Sequence, residues 1–152
     1  HRAVTDADPA AAVRDAERAV DLRPDDLVLR SYAVHLHLER GTLADVDAAI
    51  DQADAALRWS PHDPIALDDS ATALLARAGI TGDTADVDAA IAAWRALVEL
   101  DPVRARWQIE YGRAAALAGD VDTARAAWTA ALALRPDDPT AADLLHALDG
   151  VG

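Results

Sequence analysis

The chain has 152 residues, 14 of them basic and 27 acidic, which gives a formal net charge of −13. This charge would repel phosphate groups, which disfavours nucleic acid and anionic membrane as partners. There is no cysteine, so disulfides and thiolate metal sites are excluded. Two interpretations of the acidic charge remain: solvation of outward helix faces, or a site for a basic partner.

Prolines and glycines divide the chain into eight predicted helices. Four prolines each follow an amphipathic stretch and stop it, because proline lacks a backbone donor: Pro24, Pro61, Pro102 and Pro136. A glycine splits the sequence after each of the first three, at Gly41, Gly82 and Gly119. We therefore predict helices over residues 9–21, 27–40, 45–58, 64–78, 86–100, 104–118, 121–134 and 139–149.

Aspartates stand near the start of most of these helices, where their side chains can accept the unpaired amide protons of a first turn. After the glycines, we expect caps at Asp45, Asp86 and Asp120. Ahead of a proline in the first helical position, we expect them at Asp8, Asp63 and Asp138. The pairs Asp25-Asp26 and Asp137-Asp138, which follow prolines, are also interpreted as caps.

One seven-residue segment occurs twice. Residues 44–50 and residues 85–91 both read Ala-Asp-Val-Asp-Ala-Ala-Ile, 41 residues apart, and the prolines that follow them have the same spacing. Identity at a matched offset indicates a repeated structural unit. Each unit would be a pair of helices stacked on the next pair.

The segment from Ala105 to Pro136 resembles a tetratricopeptide repeat, a helix-turn-helix unit with small residues at fixed places and a closing proline. The matching positions are Tyr111, Gly112, Gly119, Ala124, Trp128, Ala131 and Pro136. The resemblance implies an all-α fold, an α–α superhelix of about seven to eight antiparallel helices. It also implies that Trp94 and Trp128, 34 residues apart, are packing residues, and that Trp59 is another; Trp107 does not follow the pattern.

The repeats suggest a domain organisation. We expect a flexible remnant at residues 1–8, three and a half repeats over 9–138 and a C-terminal capping helix over 139–149. A first helix of a further, truncated unit is the alternative for the last segment. Extra residues fall at 42–44 and 79–84. The absence of methionine favours a processed chain or a fragment of a bacterial protein.

No residue cluster carries recognisable catalytic or metal-binding chemistry. His35 and His37 would point about 200° apart on one helix, so they cannot chelate one ion together. Adjacent carboxylates such as Asp68 and Asp69 diverge on a helix, which suits neither a glycosidase pair nor a shared-proton dyad. Serines stand outside any nucleophile-elbow context, and glycine-rich phosphate loops are absent. We therefore predict a protein that is not an enzyme, with no cofactor and no metal.

The resemblance does imply a binding surface, because the first helices of such repeats line an inner groove. The corresponding residues are Tyr32, His35 and Glu39, then Asp68, Asp69 and Thr72, then Arg106, Glu110 and Arg113. This concave face lacks the paired lysine and arginine that hold a terminal carboxylate in some family members. Its acidic middle favours an extended segment with one or two basic residues.

The predicted function is a non-catalytic scaffold that binds a protein or an extended peptide, in the cytoplasm. The alternative is a soluble regulatory or assembly domain attached to a membrane protein. The Ala-, Asp- and Arg-rich composition resembles that of high-GC bacterial proteins, where such repeats are appended to cell-envelope enzymes such as O-antigen-ligase-like polysaccharide polymerases. A third interpretation is self-association through the incomplete N-terminal repeat.

Overall fold

The computed structural model describes residues 8–150 and consists of eight α-helices without a strand in that range. The predicted remnant at residues 1–8 lies outside the described residues, apart from Asp8. The all-α fold class and the number of helices are confirmed, with boundaries within three residues of the predicted ones. The helices are α1 (Pro9–Leu22), α2 (Leu27–Arg40), α3 (Leu43–Trp59), α4 (Pro64–Thr81), α5 (Thr84–Leu100), α6 (Ala105–Leu117), α7 (Val121–Leu134) and α8 (Pro139–Asp149).

Most of the predicted caps form. The carboxylates that accept amide protons from the next turn, as expected, are those of Asp8, Asp26, Asp63, Asp120 and Asp138. The preceding glycines adopt the left-handed conformation, with φ of 67° at Gly41, 74° at Gly82 and 81° at Gly119. These residues therefore end and begin helices for the physical reasons that the sequence indicated.

Two predicted caps, Asp45 and Asp86, are wrong. Thr42 caps α3 through its hydroxyl, which accepts the Asp45 amide proton, and Asp83 caps α5 by accepting the Ala85 amide proton. Asp45 and Asp86 are instead buried third residues of their helices. The extra residues at 42–44 and 79–84 thus extend helix ends, because each additional helical residue adds a backbone hydrogen bond.

The chain divides into two compact units, with the boundary between Ile80 and Thr81. In the first unit α2 packs against both α1 and α3. Small side chains let these helices approach closely, and the main core cluster is Val34, Val46, Ala49, Ile50, Ala53 and Ala73. A second cluster joins α1 to α2 through Ala16, Val20 and Ala33.

In the second unit α5, α6, α7 and α8 pack in consecutive order. One core cluster contains Ala105, Ile109, Ala131 and Ala141, and another contains Ala115, Ala124 and Trp128. Leucines of α8 pack against both clusters. The role of α8 as a cap remains a prediction.

The four tryptophans differ in burial. Trp94 and Trp128 are buried, as the repeat register predicted. Trp107 is buried as well, and the Arg104 guanidinium lies 4.8 Å from its ring centroid. The prediction that Trp59 is a packing residue is wrong, since 61% of it is exposed. It is the last residue of α3, and no described neighbour covers the side chain there.

Candidate functional site

In the first unit, six of the predicted site residues lie on α2 and α4. Tyr32, His35 and Glu39 are exposed on α2, at successive turns. On α4, Thr72 is exposed and Asp68 is half-buried, whereas only 4% of Asp69 is exposed. The adjacent carboxylates therefore differ in access, and Asp69 is not part of an open acidic surface.

A polar contact joins the two helices. His35 Nε2 lies 3.5 Å from Asp69 Oδ1, and Ser31 is hydrogen-bonded to the same carboxyl group. Burial raises the pKa of Asp69 above its usual value, while Ser31 and His35 act in the opposite direction. The carboxylates of Asp68 and Asp63 add to the upward shift of that pKa. The contact brings residues of two successive first helices to one surface.

The arrangement of Ser31, Asp69 and His35 does not activate a nucleophile. In a hydrolytic triad the imidazole lies between the hydroxyl and the carboxylate and removes the hydroxyl proton. Here the carboxylate is the shared partner of both the hydroxyl and the imidazole. The three side chains hold α2 against α4, and His35 keeps most of its surface exposed.

Exposed apolar residues accompany these polar ones, and the sequence analysis missed two of them. Val28 and Tyr32 lie one turn apart on α2, so they share a face, and both are more than half exposed. Ile65 is also more than half exposed and precedes Asp69 by one turn on α4. The available signal was position: Val28 and Ile65 each follow a repeat proline, Pro24 or Pro61, by four residues.

The second unit carries the other three predicted site residues, Arg106, Glu110 and Arg113, on α6. Arg113 Nη1 lies 3.6 Å from Glu110 Oε1, an ion pair between residues three apart. Arg106 and Arg113 are exposed, and Glu110 is partly exposed. This stretch of α6 therefore presents charges of both signs to solvent.

Residues 8–150 contain neither a metal site nor a membrane span. No group of three or more histidine, aspartate or glutamate side chains there has a geometry that could hold a metal ion. None of the helices in this range combines the length and the apolar character needed to cross a membrane.

Comparisons with known proteins identify the fold. No family model matches the chain, and no curated protein does. Among solved structures, the crystal structure of MamA is 18% identical in sequence, with a TM-score of 0.77 over 95% of this chain and 80% of that chain. TTC0263, a thermophilic tetratricopeptide-repeat protein of Thermus thermophilus, is 22% identical, with a TM-score of 0.75 over 94% and 74%.

A third similar structure is a peptide complex. The first tetratricopeptide-repeat domain of Spaghetti (RPAP3), bound to the HSP90 peptide SRMEEVD, is 15% identical, with a TM-score of 0.69 over 82% of this chain and 91% of that one. Together these structures show that the chain has the tetratricopeptide-repeat fold. They give no support to the alternative of a domain attached to a cell-envelope enzyme.

Proposed function

We propose that this chain is a non-catalytic scaffold that binds a protein or an extended peptide through the exposed face of its first helices. The observation that carries the proposal is the surface formed by Val28, Tyr32, His35 and Ile65, which we call the α2–α4 surface. It combines large exposed apolar side chains with a polar contact that fixes the two helices. A preformed surface of this kind lowers the entropy cost of binding.

The fold supports the same proposal. A similar structure, that of RPAP3, is a complex with a peptide. Helical-repeat proteins in general present extended rigid surfaces to their partners. In this chain the binding residues would be those of the α2–α4 surface with Glu39, Asp68, Asp69 and Thr72, and on α6 Arg106, Glu110 and Arg113.

The proposed partner is a segment with an apolar side chain and one or two basic residues. The net charge of −13 favours association with a basic partner. Asp69 is paired with His35 and contributes by orienting that ring, so direct contact with a cation falls to the more exposed Glu39 and Asp68. The chain has 14 arginine residues and no lysine, and no pair of basic side chains stands on α2 or α4 to hold a terminal carboxylate.

The test is selection of peptides from a random 12-residue display library on the immobilised protein, followed by titration of the synthetic peptides. We expect lysine- or arginine-containing sequences with micromolar affinity, and at least tenfold weaker binding after Val28→Ser with Ile65→Ser. A matched control is Val103→Ser with Ile80→Ser, because Val103 is 73% exposed against 72% for Val28, and Ile80 resembles Ile65. The control should bind within twofold of the unchanged protein.

Two results would count against the proposal. Selection of no peptide at all would remove the scaffold function for segments of this length. Equal loss of affinity in the Val28/Ile65 and Val103/Ile80 variants would remove the α2–α4 surface as the site.

A further inference from the structure

A histidine is enclosed where three helices of the first unit meet. His37 on α2 is only 3% exposed. Its Nδ1 lies 3.4 Å from Asp45 Oδ1 on α3, and its Nε2 lies 3.3 Å from Glu17 Oε1 on α1. Nε2 is buried and makes no hydrogen bond of good geometry, although the Glu17 carboxylate is close. One imidazole thus stands between two carboxylates that belong to different helices.

Packing of the repeats does not require a histidine at this position. Four residues before the glycine that follows each first helix, the chain has His37, Ala78 and Ala115. Counting forward from the repeat prolines instead aligns His37 with Leu74 and Ala115. Both alignments place apolar residues in the other units. Replacing an apolar side chain there by a buried imidazole costs desolvation energy, so the histidine calls for a separate explanation.

The two carboxylates are held differently. Asp45 is also bound by the Thr42 hydroxyl, which donates to Oδ2 at 2.6 Å, and by Arg40 Nε at 3.4 Å. Asp45 therefore keeps its place whatever the state of the imidazole. Glu17 has no other ion pair among the described residues and is half exposed. Of the two contacts, the one to α1 depends more on His37.

We propose that His37 is a proton-operated clasp that fastens α1 to the rest of the first unit. A neutral imidazole has one N–H, so one of its ring nitrogens turns a lone pair toward a carboxylate oxygen. Protonation adds the second N–H, and the imidazolium then donates to Glu17 and to Asp45 at the same time. Because the added proton strengthens the α1 contact, α1 is held more firmly in the protonated state.

The groups that face the ring define this response. Glu17 approaches from α1 and Asp45 from α3, while Arg40 comes from the same helix as His37 and already neutralises Asp45. Histidine changes its charge between about pH 5 and 8. Raising the pH through that range removes the proton and with it the hydrogen bond to one carboxylate.

Loosening of α1 would uncover apolar surface on α2. The α1–α2 contact is otherwise made by Ala16 and Val20 of α1 against Ala33, with Leu29 and Leu36 at its margin. These are few and mostly small side chains, so a single charged contact forms a sizeable part of the attachment. The clasp would thus couple proton binding to the exposure of a second apolar face of α2.

Amide hydrogen exchange of the full chain at pH 5.5 and pH 8.0, corrected for intrinsic exchange rates, tests this. We expect protection factors in α1 to be at least fivefold lower at pH 8.0, with α3 changed less than twofold. His37→Gln should abolish the difference between the two pH values. Glu17→Gln should do so too, and because Glu17 is half exposed, this variant tests the clasp even if His37→Gln fails to fold.

His62→Gln is the matched control, since His62 is exposed in the turn before α4 and should leave the α1 response intact. Equal α1 protection at both pH values in the unchanged protein would overturn the proposal. A pH response that persists in Glu17→Gln would also overturn it.

Discussion

Trp128 and Gly112 are direct neighbours across the α6–α7 contact, and the indole occupies the space that a side chain at residue 112 would need. A Cβ atom on Gly112 would lie 2.7 Å from Trp128 Cδ1, well inside the contact distance. The indole Nε1–H donates to the Ile109 carbonyl at 3.1 Å, which fixes the ring over the glycine. The buried tryptophan and the absent side chain therefore form one packing unit.

Gly112→Ala should destabilise the protein. The added methyl group forces the indole or the helix to shift, and overpacking of this kind costs about 1–3 kcal/mol. The gain in helix propensity, about 1 kcal/mol, offsets only part of that cost. The measurement is the urea unfolding free energy at pH 7.

Gly79→Ala is the control for that substitution. Gly79 lies in α4, and a Cβ atom added there would have no other atom within 4 Å, so propensity alone should act and stabilise by about 0.5–1 kcal/mol. Equal effects of the two substitutions would contradict the packing unit.

Trp128→Ala should cost about 3–5 kcal/mol, the range for removing a large buried aromatic side chain. It also leaves the Ile109 carbonyl without the indole donor. Trp59→Ala should change stability by less than about 0.5 kcal/mol, because Trp59 is an exposed residue. Thermal and urea unfolding of the two variants compares them directly, and a large loss in Trp59→Ala would show that this ring is covered in solution.

The helices could be predicted closely because each boundary carries a local signal. Pro139 after Asp138, for example, fixes the start of α8 by residue type alone. The errors at Asp45 and Asp86 arose where two candidate caps lie three residues apart. Thr42 and Asp45 are both suitable by residue type, and the helix begins at the earlier one because a longer helix makes more hydrogen bonds.

Burial near helix ends could not be predicted in the same way. Trp59 was compared with Leu22, Leu100 and Leu134, which stand two residues before the other repeat prolines. Leu22 and Leu100 prove to be exposed as well. Helical periodicity gives the side of the helix on which a residue lies, but not whether a neighbour extends far enough to cover it.

The candidate site shows the same limit. Their spacing placed His35 and His37 on different sides of α2, and they do contact different carboxylates. The sequence alone did not reveal that Asp69 is buried beside His35 or that Glu17 approaches His37. Those contacts join residues 20 or more positions apart, and helix packing determines them.

Asp45 should stabilise the fold at neutral pH and lose this effect in acid. Its pKa is lowered from 3.8, chiefly by the Thr42 hydrogen bond and also by His37 and Arg40, against the effect of burial. A lowered pKa in the folded state means that the unfolded chain binds the proton more readily. The contribution is therefore full above the unfolded value and disappears as the pH falls through the folded value.

Asp45→Asn tests this expectation. We expect a loss of about 1 kcal/mol at pH 7, the net size of an ordinary hydrogen bond. The difference from the unchanged protein should shrink as the pH falls from 5 to 3 in urea unfolding. A difference that is constant over this range would mean that Asp45 ionises alike in both states.

Asp69 should show the opposite dependence on pH. Its pKa is raised from 3.8, chiefly by burial, so between the unfolded and folded values the folded protein holds more protons. The contribution of Asp69 to stability is therefore largest below about pH 3.8 and declines as the pH rises through the folded value. Asp69→Asn removes the titration, so the stability of the unchanged protein relative to this variant should fall between pH 3 and pH 6. Over the same range the corresponding difference for Asp45→Asn should rise. Urea unfolding of both variants in one buffer series measures the two slopes, and slopes of the same sign would contradict the burial of Asp69 beside His35.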